Sequence, residues 1–275
     1  MANISSSHLS PASRETVERF ASRSEFYLQL PGDQRHKIWQ FDGPDASYSY
    51  TGPDIVKFTE ANCLAATAAI DDNLLHEFRN KLRTEWASSQ SIPYEGMALA
   101  ELISEYVVWV DYLFFFGILT HAKIIDGKLE AEKPLYTLVF QEGLYDAEGN
   151  ELEGVFFPDT VEMHINLLQS SGQFQPLDRA LAVIVHEMTH MYLDVLTRDT
   201  SHASYYQHVF QNHGHGIQFH ELLRFNLVQL SKLAPMPYLG YLAAKTHEDL
   251  RLTLAQPAVS DAEAKELIGC GVHHR

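Results

Sequence analysis

Between Asp178 and Arg198 the apolar residues Leu181, Ala182, Val183, Ile184, Val185, Met188, Met191, Tyr192, Leu193, Val195 and Leu196 fall on every side of a helical wheel. A helix without a continuous polar stripe is stable in water only when other elements enclose it on most sides, so the remaining chain has to be built around it. The breaker group Gly172 to Pro176 sets its start near Asp178, and its end falls near Arg198. Inside this apolar frame stand His186, Glu187 and His190. Two imidazoles and a carboxylate lose several kcal/mol of hydration there unless something compensates them, and a divalent cation is the economical compensation.

The pentapeptide His186-Glu187-Met188-Thr189-His190 matches the pattern His-Glu-x-x-His. Four residues advance a helix by about 6 Å and little more than one turn, so both imidazoles leave one face and can share an ion at ~2.0–2.1 Å. Glu187 projects about 100° away around the axis, where a carboxylate reaches an activated water without having to ligate the metal. A third ligand has to come from elsewhere, and a fourth position stays open for water in a catalytic site. The metzincin extension of the pattern fails, because Leu193 and Leu196 stand where its Gly and final His belong. Downstream, Asn212-His213-Gly214-His215-Gly216-Ile217-Gln218-Phe219 sets two histidines beside glycines just before a second amphipathic helix. Glycine permits the tight backbone that presents an imidazole to a site on another helix. His215 and, as an alternative, His213 are the candidates.

Together these two segments resemble the SprT-like (Spartan) metallopeptidases, whose signature is a His-Glu-Met-x-His helix followed by Gly-His-Gly-x-x-Phe opening the next helix. The matching residues are His186, Glu187, Met188 and His190, then Gly214, His215, Gly216 and Phe219, with Tyr192 and Leu193 also fitting. The strand residues Ile165, Asn166 and Leu167 look similar too, and the likeness covers about residues 155 to 232. The resemblance implies one zinc ion held by His186, His190 and His215, Glu187 as catalytic acid/base, a peptide or protein substrate, and a DNA-linked role. No Cys-based zinc module follows the motif. The formal charge of -16 argues against the nucleic-acid part, since such a field repels phosphate backbones and anionic lipid surfaces alike.

Other residues enter as weaker candidates, each weighed against ordinary packing or a solvated loop. Tyr192, Tyr205 and Tyr206 could donate to a developing oxyanion, and His164 could border the cleft. Glu221 could be a carboxylate ligand of the gluzincin kind, while His202, His208 and His220 could gather a second ion. The alternation of Val161, Met163, Ile165 and Leu167 with Glu162, His164 and Asn166 is the period of a half-buried strand. Such a strand could pair with an extended substrate.

The expected fold class is α+β, a zincin-like core of a small sheet on the metal helix with a mostly helical N-terminal region. Residues 1–24 read as a flexible arm, 25–130 as the helical region, 131–256 as the catalytic core and 257–275 as a C-terminal tail. Within the second region a loop spans 42–54, helical spacing runs from Pro53 to about Ser88, and a second helix runs from about Gly96 through the apolar stretch Tyr106 to Leu119. Asp111 interrupts that stretch, which is also shorter than the ~20 residues a bilayer requires. Leu135 to Phe140 and Gly154 to Phe157 read as a hairpin about a turn at Asp146, Gly149 and Asn150. Cys63 and Cys270 are too few for a disulfide framework, and the N-terminus lacks a secretory pattern, which together point to an intracellular compartment, cytoplasm or nucleus. Two other functions remain open at this stage: a zinc-stabilised binding module or inactive relative, and a zinc hydrolase with a non-peptide substrate.

Overall fold

The computed structural model describes residues 7–8, 52–63, 72–117, 119–120, 122–125, 128–131, 134, 136–157, 160–196 and 211–269. In chain order they form β1 (Ser7–His8), α1 (Gly52–Asn62), α2 (Asp72–Ser89), α3 (Gly96–Phe114), β2 (Ala122–Ile125), β3 (Lys128–Ala131), β4 (Thr137–Gln141), β5 (Gly154–Phe157) and β6 (Glu162–Asn166). The second half continues with α4 (Leu177–Leu196), α5 (Gln211–Gly214), α6 (Ile217–Leu233), α7 (Pro237–Leu254) and α8 (Asp261–Gly269). The architecture is α+β, and α4 is its axis: α1, α2, α3, α6 and α7 pack around it together with β5 and β6. From Ala180 to Leu193 every α4 residue is buried except His186, as the all-round apolar pattern requires.

The second most buried helix is α3, whose residues Tyr106 to Phe114 are all buried. The charge inside it has a structural reason. Asp111 accepts from the N–H groups of Leu119 and Thr120 at 3.2 and 2.7 Å and from the Thr120 hydroxyl at 2.6 Å. Its carboxylate thereby satisfies donors of the turn after α3, where Phe116 and Gly117 take φ of 62° and 70°. Burial pushes the Asp111 carboxyl up to about 7, against the lowering effect of those three donors. Among the described residues no helix is long and apolar enough to cross a membrane.

The sheet against α4 has the order β4-β6-β5, with β4 parallel and β5 antiparallel to β6. This corrects the expected hairpin. The turn exists, with Asp146 N–H donating to Asn150 O at 2.9 Å and a bridge between Tyr145 and Glu151, but β6 inserts between the strands it connects. Alternation specifies which face of a strand is buried and leaves open which strand lies beside it. Asn166 anchors the inserted arrangement: its side chain accepts from Gly143 N–H at 2.9 Å and donates to Leu152 O at 3.0 Å, pinning both ends of the connection to β6. Because β6 is paired on both sides, it has no edge for a substrate strand, and that expectation is also corrected.

Among the described residues the region 25–130 holds three helices, α1 to α3, and also strands that the sequence reading did not include: β2 and β3 pair antiparallel, and β3 pairs onward with β1. The step Asp126-Gly127 between them is a strong hairpin signal in the sequence. Helical spacing from Pro53 to Ser88 resolves into α1 and α2, with residues 64–71 outside the described ones, and the helix expected to Leu119 ends at Phe114. Of the expected arm and the 42–54 loop, only Ser7–His8 and Gly52–Asp54 are described, the latter as the first turn of α1. In the tail, Ser260 and Glu263 form a reciprocal cap at the start of α8.

Candidate metal centre

Two elements bring three imidazoles together. His186 and His190 leave the same face of α4, and His215 reaches them from the two-residue break between α5 and α6. Their Nε2 atoms form a nearly equilateral triangle, 3.2 Å from His190 to His186, 3.2 Å from His190 to His215 and 3.1 Å from His215 to His186. A tetrahedral ion at ~2.0–2.1 Å from each nitrogen needs an edge of about 3.3 Å, so the triangle fits one ion to within about 0.2 Å. Among the described residues this is the one group of three or more His, Cys, Asp or Glu side chains that could hold a metal.

Phe219, in the first turn of α6, is the floor of the site. Its ring stacks on His190 at 4.1 Å between centroids and meets His186 and His215 edge-on at 4.9 and 4.6 Å. Phe219 is 1% exposed, so apolar contact restricts the rotamers of all three imidazoles at once. The His215 ring is further oriented from behind, where its Nδ1 lies 3.0 Å from the carbonyl oxygen of Asn212. A carbonyl can only accept, so Nδ1 carries the proton and Nε2 keeps a lone pair toward the triangle. The backbone agrees with the sequence reading of this segment: Gly214 takes φ of 88° and Gly216 caps α6.

Glu187 lies beside the triangle, with Oε1 3.9 Å from His186 Nε2. It is buried and accepts a hydrogen bond from the backbone N–H of Phe156. Burial pushes its carboxyl up to about 8, with the Phe156 bond opposing the rise. On the strand side, Asn166 N–H bonds Glu153 O at 2.9 Å, which turns the main-chain groups of Gly154 and Phe156 outward from β6. Glu187 thus sits at the outer edge of β5. Gly154 makes this approach possible, because a Cβ there would lie 2.5 Å from Val183 Cγ1 and 3.1 Å from Glu187 Cγ. The centre is open on one side, with the His186 side chain 30% exposed.

Several sequence candidates are placed elsewhere. The Tyr192 hydroxyl lies 3.1 Å from Thr59 Oγ1 of α1 and its ring packs on Phe115, on the side of α4 turned away from the histidines. Six residues after His186 is about 240° around the axis, so Tyr192 belongs to the core. His164 aligns with Val155 and Val139, on the sheet face opposite Met163 and Ile165, and contacts Gln141, Glu162 and Phe157. That face is not the one against α4, so His164 does not border the site. Glu221 is pushed up by burial, with Glu60 of α1 nearby and a bond from Gln218, and it is no member of the ligand group. His220 is buried with its ring 6.1 Å from that of His215, and it bonds the His215 backbone instead of joining the triangle. Burial holds its pKa below the ordinary value. Tyr205, Tyr206, His202, His208 and the side chain of His213 lie outside the described residues.

Three contributors had no sequence reading: the Phe156 N–H, Gly154 and Asn212. A backbone donor and a carbonyl leave no mark in residue identity, and Gly154 could be noticed only as a glycine opening a strand. Compared with protein-family models, curated proteins and solved structures, the chain gives no match.

Proposed function

We propose that this chain is a zinc-dependent metallopeptidase of the zincin kind, related in its site to the SprT-like enzymes, with Glu187 as general base. The observation that carries the reading is a triangle of three Nε2 atoms of ion-binding size with a buried carboxylate 3.9 Å from one corner. A structural zinc site closes all four positions with Cys or His and needs no adjacent base, so the three-histidine set and Glu187 favour catalysis over a purely structural ion. The all-imidazole donor set suits zinc better than magnesium or calcium, which prefer oxygen.

When bound, the ion polarises a carbonyl and lowers the pKa of water toward ~7. The protein's own part follows from its geometry. Glu187 takes the proton of the attacking water and returns it to the leaving amine, a shuttle suited to a carboxylate held at the edge of the ligand set. A nearby cation opposes the rise that burial imposes on its pKa and favours the ionised, proton-accepting form. The Phe156 N–H fixes one carboxylate oxygen, and Phe219 keeps water from the back of the histidines. The outward main-chain groups of Gly154 and the carbonyl of Phe156, whose N–H is taken by Glu187, lie at an edge with no further strand among the described residues, a surface on which an extended peptide can hydrogen-bond.

The test is metal analysis of the purified chain together with casein cleavage by the native protein and by Glu187→Gln, with and without chelator and DNA. The expectation is one zinc per chain in both proteins and turnover only in the native one. Full cleavage by Glu187→Gln would refute the role of Glu187, and absence of stoichiometric transition metal would refute the site.

A further inference from the structure

The helix geometry of α4 sets two of the three histidines, and nothing in that geometry sets the third. His215 depends on the Asn212 carbonyl that accepts from its Nδ1 at 3.0 Å. That carbonyl is held by an unusual backbone, since Asn212 has φ of 54°, a left-handed conformation that Asn tolerates better than most residues but that still needs support. The support comes from the far end of α7. Asn212 Nδ2 donates to Thr253 Oγ1 at 3.2 Å, and Gln256 Nε2 donates to Asn212 Oδ1 at 3.1 Å. Thr253 is buried and its hydroxyl donates to Asp249 O at 3.0 Å, which leaves its lone pairs for Asn212. Gln256 is tied in turn by the Gln211 side chain. Both ends of the Asn212 amide are therefore engaged, one as donor and one as acceptor.

We propose that Asn212, Thr253 and Gln256 form a positioning latch for His215, so that the C-terminal end of α7 helps set the metal affinity of a centre distant from it in sequence. The inference rests on the metal centre proposed above. With the carbonyl fixed, the imidazole has one orientation and one tautomer with its Nε2 lone pair on the triangle. With the amide released, the left-handed backbone relaxes, the carbonyl turns away, and the ring samples orientations and tautomers that do not bind. Outer partners of ligating histidines change metal affinity by about 10–100-fold when removed.

The experiment measures zinc affinity of the full chain by competition with a chromophoric chelator, and the cobalt(II) absorption spectrum, for native protein, Gln256→Ala, Thr253→Val and Asn212→Gly. Gln256 is exposed, so Gln256→Ala opens no apolar cavity, although it also removes the partner of the buried Gln211 amide. Asn212→Gly keeps the left-handed backbone available while deleting the amide. Each variant should bind zinc about tenfold or more weakly and alter the cobalt bands, with metal-free melts of each variant separating that loss from any change in fold stability. Native affinity in both Gln256→Ala and Asn212→Gly would overturn the latch and leave the metal centre standing. Absence of zinc binding by the native chain would overturn both.

Discussion

Sheet and α4 come close together at Gly154, and Gly154→Ala perturbs the contact with a single methyl group. The new carbon would lie 2.5 Å from Val183 Cγ1, and 3.1 and 3.2 Å from Cγ and Oε1 of Glu187. Carbon atoms at rest stand about 3.5–4.0 Å apart, so β5 and α4 must separate by roughly 1 Å or Val183 must leave its rotamer. Val183 is 5% exposed in a packed core, and overpacking of this kind costs about 1–3 kcal/mol. For a chain of this size that corresponds to a fall in melting temperature of about 2–4 °C for each kcal/mol. Val183→Ala alone loses about 1–2 kcal/mol of apolar burial. Combined with Gly154→Ala it also removes the 2.5 Å clash, so the double variant should be more stable than the sum of the singles by about 1 kcal/mol or more. The contact with Glu187 persists in the double variant, so stability should return further than peptide turnover does. Denaturant melts of the four proteins give the coupling energy, and turnover on casein gives the second quantity. Additive destabilisation to within about 0.5 kcal/mol would show that Val183 does not limit how closely β5 approaches α4, and Gly154 would lose the role assigned to it.

Other consequences are open to simpler measurements. Because burial raises the Asp111 carboxyl to about 7, the folded state holds its proton above the pH at which the unfolded chain releases it. The associated stability is present below the ordinary carboxylate range and is lost as pH rises through about 7, so urea melts should weaken from pH 5 to pH 8, and Asp111→Asn should flatten that dependence. Tyr192→Phe should cost about 1 kcal/mol through loss of the bond to Thr59 and leave turnover unchanged, and a large loss of turnover with native stability would restore Tyr192 as a catalytic donor. Removal of metal by a chelator should lower the melting temperature, with a loss of about 4 kcal/mol of stability for an ion present at ~1,000 times its Kd, and zinc should restore it. A melting temperature indifferent to chelator would count against an ion tied to both α4 and the α5–α6 break.

The legible part of the site is the part written on one helix. His186, Glu187 and His190 follow from the fixed step of about 100° per residue, and their enclosure follows from the apolar residues on all other sides of α4. His215 is legible through its glycines, which mark a backbone that other residues adopt with difficulty. Tyr192 shows the limit of the same logic. Its hydroxyl has the chemistry of an oxyanion donor, yet the helical period that brings the histidines together turns it to the opposite side. His164 fails for a related reason: alternation gives its polar face correctly, while which face of the sheet meets α4 is a matter of packing.

The amino-acid sequence alone thus determined the helix that carries His186, Glu187 and His190, its burial, the shared face of its two imidazoles and the α+β class, because helical and strand periods are local properties of neighbouring residues. Only the tertiary structure decided that β6 enters between β4 and β5, that Phe219 lies under all three imidazoles, that Gly154 admits β5 to Glu187, and that the end of α7 reaches Asn212. These depend on distances between residues far apart in the chain, which are settled by how whole faces pack and by where backbone N–H and C=O groups find partners.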